Sequence, residues 1–156
     1  MIGGAALLLA LLFPQTAPPS GGIVIFEPDR ARELLSQCSR SVPKPGEGGW
    51  TPTVADIARL EAKLPGAFQV AALSPYAYKE LVLQSAPKGW IRQYVGIVRG
   101  GKRFIYGNFA PASVEQYEPG RGRHPIMVCD GGPGFFGAEY DVEMDAISHL
   151  AFNGMA

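Results

Sequence analysis

Two acidic side chains near the C-terminus have the spacing that acid/base chemistry uses. Glu139 and Asp141 lie two positions apart in FFGAEYDV, whose alternating residue types predict a β-strand. Residues two apart on a strand share a face at a spacing of about 7 Å, so the pair can act as general acid and base. Asp130 and His149 are further candidates. A solvated strand face has the same pattern, and no obvious nucleophile or metal ligand lies nearby, so no catalytic residue is assigned.

The glycines before these carboxylates match a nucleotide-binding fingerprint in letters but not in context. Gly132, Gly134 and Gly137 in GPGFFG reproduce G-x-G-x-x-G. That motif needs a following helix whose first N–H groups face a phosphate, whereas the residues here continue as a strand, and Pro133 lacks an N–H. We therefore interpret residues 131–134 as a turn between two strands and expect no cofactor.

The N-terminal apolar run predicts export. Residues 5–13 are apolar, too short to span a bilayer, and followed by small residues. This pattern favours a signal peptide at 1–21 and one domain at 22–156, periplasmic or secreted, with no stable membrane anchor after cleavage. No Lys or Arg precedes the run and Pro18 follows it, which departs from the usual pattern. The alternative is a buried N-terminal helix.

The cysteine count and the charge balance predict a disulfide and argue against metal binding and nucleic-acid binding. An exported chain with two cysteines, Cys38 and Cys129, is predicted to join them in a disulfide, with two buried free thiols as the alternative. The cysteines and the two scattered histidines have no metal-ligand spacing, so no metal is expected. Fourteen basic and fourteen acidic side chains cancel, which leaves no basic footprint for nucleic acid.

Two helices are predicted in the N-terminal half. The first spans 28–38 and directs Cys38 towards the core, since apolar residues recur there at helical spacing. A loop at 39–49 leads to the second helix, with Thr53 as N-cap, Asp56 three residues on, and Pro65-Gly66 as its stop. The region 67–86 is ambiguous, because a helical turn or two fits YKELVLQ while Ser74-Pro75 interrupts a longer helix.

Strand patterns dominate after Pro87. WIRQYVGIVRGGKRFIYGNF predicts a hairpin that turns at Gly100-Gly101, with an exposed, mobile loop at 111–123 after it. Strands follow at 126–130 and 135–142, and AISHLAFNG forms the last one. His149 is interpreted as a hydrogen-bonded structural histidine. The predicted opposite pairs are Arg99 with Lys102, Tyr94 with Gly107, Tyr140 with His149, and Gly137 with Phe152.

The motif VCDGGPGFFGAEYD followed by HLAFNG resembles the C-terminal half of an uncharacterised family of small exported proteobacterial proteins. WTPT and the hairpin sequence are similar to that family as well. The resemblance covers most of the chain after the signal segment. It implies export and a shared fold, and it transfers no activity and no site.

Together these patterns predict an α+β fold, with two or three N-terminal helices on one face of an antiparallel sheet of four or five strands. A cystatin-like arrangement satisfies that description. The favoured function is a small exported binding or interaction module with a protein partner, of which an inhibitor or immunity-type protein is one form. Alternatives are a periplasmic hydrolase that uses the strand carboxylates and a purely structural envelope protein. The candidate binding residues are Tyr117, Arg121, Arg123, Glu139 and Asp141.

Overall fold

The computed structural model describes residues 22–72 and 90–155. The predicted signal peptide at 1–21 and residues 73–86 of the ambiguous region lie outside the described residues. The described chain folds as α+β, which confirms the predicted fold class, although nothing confirms a cystatin-like arrangement.

A six-stranded sheet forms the centre of the fold. The main path runs β1-β3-β4-β5-β6, and β2 joins the outer side of β3 beside β1. All pairs are antiparallel except β1 with β3. The two strands that the sequence did not predict, β1 and β2, have three residues each, too short for a periodic signal. The strands are β1 (Ile23–Ile25), β2 (Gly48–Trp50), β3 (Trp90–Arg99), β4 (Lys102–Pro111), β5 (Phe136–Asp141) and β6 (Ala146–Phe152).

The β3–β4 hairpin has the predicted turn and register. Gly100 and Gly101 have φ angles of 58° and 75°, the left-handed conformation that a tight two-residue hairpin turn requires at both positions. Arg99 lies opposite Lys102, and Tyr94 lies opposite Gly107. The ring of Tyr94 covers Gly107 so closely that a Cβ there would lie 3.0 Å from its Cε1.

Three helices accompany the sheet among the described residues: α1 (Ala31–Leu34), α2 (Val54–Ala72) and α3 (Val114–Tyr117). The first is shorter than predicted and follows a 3-10 turn at Pro28–Arg30. Cys38 lies beyond α1 and is exposed, so the prediction that it faces the core was wrong. The chain has left the helix before Cys38, and helical spacing no longer applies there.

The start of α2 was predicted correctly and its end was not. The hydroxyl of Thr53 accepts the N–H of Asp56 at 3.2 Å, and the Asp56 carboxylate accepts the N–H of Thr53 at 2.9 Å, which is a reciprocal cap. Burial opposes ionisation of Asp56, but hydrogen bonds from Thr53 and Arg59 lower its pKa overall. The helix continues through Pro65 to Ala72, because Phe68 extends its apolar stripe and packs edge-on against Phe136 at 5.2 Å.

The sheet is covered on both faces, not on one as the sequence suggested. On one face α2 packs with the aromatic residues of β3, β4 and β5 in the larger core cluster. On the other face Leu34 of α1 and the adjoining Leu35 pack against Val95, Ile97 and Tyr106. Short local elements and loops therefore cover the second face.

The β5–β6 pairing differs from the predicted register. Glu139, not Tyr140, lies opposite His149, and the register shifts between Glu139 and Tyr140. This bulge leaves Ser148 without a paired residue on β5. The observed register brings the rings of Phe136 and Phe152 to 5.7 Å beside Phe68 on the α2 face, a packing gain that the predicted glycine-aromatic pair lacks. The observed pairs are Phe136–Phe152, Gly137–Ala151, Ala138–Leu150, Glu139–His149, Tyr140–Ile147 and Asp141–Ala146.

Candidate functional site

Glu139 is a buried ion-pair partner, only 2% exposed. Its two carboxylate oxygens accept from the guanidinium of Arg99 at 2.7 and 3.0 Å. The hydroxyl of Ser148, the bulge residue, donates to Oε1 at 2.9 Å. The hydrogen bond to Glu139 raises the pKa of Arg99. With both oxygens engaged and no open access, this carboxylate is not placed to exchange protons with a substrate.

Of the other acid/base candidates, Asp141 and His149 have hydrogen-bond partners of their own, although His149 lies opposite Glu139 on β6. Asp141 is buried, and its Oδ1 accepts the N–H groups of Glu143 and Met144 at 2.9 Å each, which shapes the β5–β6 turn. His149 contacts the carbonyl of Ser41 through Nε2 at 3.0 Å, the structural role predicted for it. Asp130 is exposed. The structure therefore does not join these residues into a site.

The loop after β4 is exposed at its tip and braced from below. Tyr117, the last residue of α3, is 84% exposed. The carboxylate of Glu115 accepts the N–H of Gly120 and the N–H of Gly122 at 2.7 Å each. Arg121 pairs with Glu118 at 3.3 Å, and Arg123 is exposed. Residues 112–125, which carry Tyr117 and both arginines, are called the loop surface below.

The strap, residues 122–130, begins within the end of the loop surface and is held on the sheet by side-chain amides. The Gln93 amide donates to the carbonyls of Gly122 and His124 at 2.8 and 2.6 Å. Asn108 donates to Ile126 at 2.9 Å. The Asn153 side-chain amide donates to the backbone carbonyls of Val128 and Asp130 at 2.6 and 2.8 Å. Gln93, Asn108 and Asn153, the amide ladder, thus bind every second carbonyl of the strap.

The amide ladder explains why the predicted strand at 126–130 is absent. The alternation that suggests a strand is present: Ile126 and Val128 pack in one apolar cluster, while Met127 between them is exposed. The backbone of the strap, however, is satisfied by side chains: the N–H of Ile126 donates to the carbonyl oxygen of the Gln93 amide at 3.0 Å. An extended segment needs partners for its backbone, and here they come from side chains instead of a neighbouring strand.

Arg40 completes the ladder on the side of β5. It donates to the side-chain carbonyls of Asn153, at 2.6 Å, and Asn108, and to the hydroxyl of Tyr106 at 3.4 Å. Burial raises the pKa of Tyr106, although Arg40 opposes that shift. A Cβ on Gly137 would lie 2.3 Å from the Tyr106 hydroxyl and 3.0 Å from Nε of Arg40. Gly137 therefore makes room for this network.

Residues 131–134 form a turn, as predicted, but the turn connects the strap and not a strand to β5. Gly131 and Gly132 have φ angles of 86° and 62°, and a 3-10 turn at Gly132–Gly134 leads directly into β5. A strand follows the glycines, so the N–H groups of a helix start are not presented as the dinucleotide motif requires. The left-handed conformation of this turn accounts for the glycines at 131 and 132.

Cys38 and Cys129 form a disulfide across a sequence separation of 91 residues, as predicted. Both cysteines are exposed. The bond ties the segment after α1 to the end of the strap, near the Asn153 side of the amide ladder.

A shallow groove between α2 and β6 was not predicted. It has two adjoining parts of about 340 and 230 Å³, which share Ala67, Val70 and Ile147. This α2–β6 groove exists because α2 continues beyond Pro65 along the sheet. The sequence signal for this groove is the mostly apolar stretch at 67–72, which belongs to the ambiguous region 67–86.

Within residues 22–72 and 90–155, no group of three or more His, Cys, Asp or Glu side chains could hold a metal ion. The described helices include none that is long and apolar enough to cross a bilayer. The chain matches no protein-family model, no curated protein and no solved structure.

Proposed function

We propose that the protein is a small exported binding module that holds a protein partner with its loop surface. An inhibitor or immunity-type protein is one form of such a module. The observation that carries the proposal is Tyr117, an aromatic side chain 84% exposed on a loop whose backbone is hydrogen-bonded from beneath.

The bracing of the loop favours binding on physical grounds. Ordering a loop when a partner binds costs free energy, and a loop already fixed by Glu115 and Gln93 avoids most of that cost. Tyrosine adds a large apolar area with a polar tip and few rotatable bonds, which is why it is enriched among residues that dominate interfaces. Arg121 and Arg123 supply charge at the rim, where it affects the rate of encounter.

The structure changes the composition of the predicted binding surface. Glu139 and Asp141 are buried and engaged on the sheet, so the proposed surface consists of Tyr117, Arg121 and Arg123. The same burial weighs against the hydrolase alternative, because Glu139 and Asp141 were two of its four candidate residues, the others being Asp130 and His149.

Location outside the cytoplasm, periplasmic or secreted, belongs to this proposal. A disulfide between exposed cysteines is expected to persist in an oxidising compartment. The apolar run at the N-terminus and the family resemblance described above support export as well.

The experiment compares Tyr117→Ala with Val54→Ala in a pull-down from periplasmic extract, followed by affinity measurement on the captured partner. Val54 is a matched control, because it is 68% exposed and lies at the start of α2, away from the loop surface. We expect Tyr117→Ala to weaken the partner by about tenfold or more and Val54→Ala to leave it unchanged. Equal affinity of both variants and wild type would show that the loop surface is not the binding site.

A further inference from the structure

The outer edge of β6 presents backbone groups with no partner strand among the described residues. β6 is the last strand of the sheet. The N–H of Asn153 points towards β5 and donates to the backbone carbonyl of Phe135 at 2.9 Å. Successive N–H groups of a strand point to opposite sides, so those of Leu150 and Phe152 point outward. The next outward group, the N–H of Gly154, donates to Ser39 at 3.2 Å, which marks where this open edge ends.

Among the described residues, this edge lacks most of the features that protect natural edge strands. Proteins block strand addition with charged side chains, prolines, bulges or covering segments. Ala146–Phe152 contains no proline, no acidic residue, no Lys and no Arg. The bulge at Ser148 lies towards one end and leaves His149–Phe152 in regular pairing with β5.

The α2–β6 groove runs beside this edge and is mainly apolar. Ala67, Val70 and Ala71 of α2 form one wall, and Ile147 and Leu150 of β6 contribute to the other. Val70 is 70% exposed. An edge that offers backbone hydrogen bonds next to an apolar groove is the combination used to bind an extended peptide by strand addition.

The dimensions of the edge favour a peptide over a second copy of the chain. A seven-residue edge, at about 3.4 Å per residue and a sheet thickness of about 10 Å, offers roughly 240 Å². A stable protein–protein interface needs about 800 Å² from each partner. Two flat edges meeting side by side fall well short, whereas a flexible segment can pair with β6 and also place side chains in the groove.

We propose that the β6 edge and the α2–β6 groove bind an extended segment of a partner protein as an added strand. The segment has apolar side chains at alternate positions. Its backbone pairs with Leu150 and Phe152, and its apolar side chains lie against Val70 and Ile147. This site is separate from the loop surface, and its test does not depend on that surface.

The probe is a library of random twelve-residue peptides displayed on phage and selected on the intact, disulfide-bonded protein. Selected peptides are synthesised and titrated against wild type, Val70→Lys and Val54→Lys. The two substitutions are matched in residue type, helix and exposure, at 70% and 68%. We expect alternating apolar residues in the peptides, about tenfold or greater weakening by Val70→Lys, and no change with Val54→Lys.

Backbone pairing is tested separately by hydrogen exchange and by N-methylation of the peptide. Bound peptide should slow exchange of the Leu150 and Phe152 amides. Methylation of a peptide nitrogen whose N–H faces β6 should abolish binding, whereas methylation of the next nitrogen, which faces away, should weaken it much less. Failure to select any peptide, or equal weakening by both lysine variants, would overturn the proposal. Slow exchange of these two amides without peptide would also overturn it. If that protection accompanies concentration-dependent dimerisation, a second copy occupies the edge. If it occurs in the monomer, the chain itself occupies the edge.

Discussion

Gly137 illustrates how a residue's role depends on contacts that are distant in the sequence. In the sequence it completes a glycine fingerprint, and in the structure it leaves space for the Tyr106 hydroxyl and the Arg40 guanidinium. Arg40 lies 66 positions from Tyr106 and 113 from Asn153. No local pattern announces such a cluster, so sequence reasoning could reject the nucleotide interpretation but could not supply this one.

We predict that Gly137→Ala destabilises the fold by about 1–3 kcal/mol, the usual cost of forcing extra volume into a packed site. Gly134→Ala is the matched control, because its nearest neighbour would be Cγ of Pro111 at 3.5 Å, an ordinary contact. Urea unfolding of both variants provides the measurement. The same midpoint for Gly137→Ala and wild type would mean that the network yields easily and that the glycine is not required.

The role of Glu139 also depends on a partner that is distant in the sequence. The alternating residue pattern correctly predicts that Glu139 and Asp141 lie on one face of β5. The sequence does not show that this face is buried. Arg99, which neutralises Glu139, lies 40 positions away on β3. A carboxylate becomes a structural ion pair or a catalytic group according to such partners, and these are set by the sheet order.

Among the elements, those specified by local signals were predicted well. The two glycines define the β3–β4 turn, and the Thr53–Asp56 cap defines the start of α2. Elements specified by tertiary contacts were predicted poorly. Pro65 is a genuine local stop signal, yet packing of Phe68 against Phe136 carries α2 past it. The strap has a strand pattern, and its backbone partners are the amide ladder.

We predict that Gln93→Glu, a change of nearly equal size, destabilises the protein by about 2–4 kcal/mol. The substitution removes the amide that donates to Gly122 and His124 and sets a buried carboxylate oxygen against their carbonyls. Gln116→Glu on the exposed surface of α3 is the control and should change stability by less than about 0.5 kcal/mol.

Urea unfolding gives the stability change, and hydrogen exchange of the Ile126 amide, which donates to Gln93, reports on the strap itself. Faster exchange at Ile126 with the rest of the sheet unchanged would locate the damage in the strap. If Gln93→Glu is as stable as the control variant, the amide ladder does not hold the strap.

For the molecule as a whole, the disulfide joins two segments that non-covalent contacts also hold. Cys38 follows α1 and Cys129 lies in the strap, whose carbonyls are bound by the amide ladder on both sides of that cysteine. The bond should therefore act mainly on the unfolded chain, by closing a long loop, and its loss should leave the folded arrangement intact.

We predict that Cys38→Ser/Cys129→Ser lowers the free energy of unfolding by about 4 kcal/mol, as expected for a loop of this length. Because both cysteines are exposed, a small reductant should reach the bond in the folded protein. Intact mass after alkylation should then show two modified thiols while the near-ultraviolet circular dichroism stays native. Reduced wild type serves as the matched control and should unfold at the same urea concentration as the double variant. Loss of the native spectrum on reduction at neutral pH without denaturant would contradict this view, because the strap would then depend on the covalent bond and not on the amide ladder.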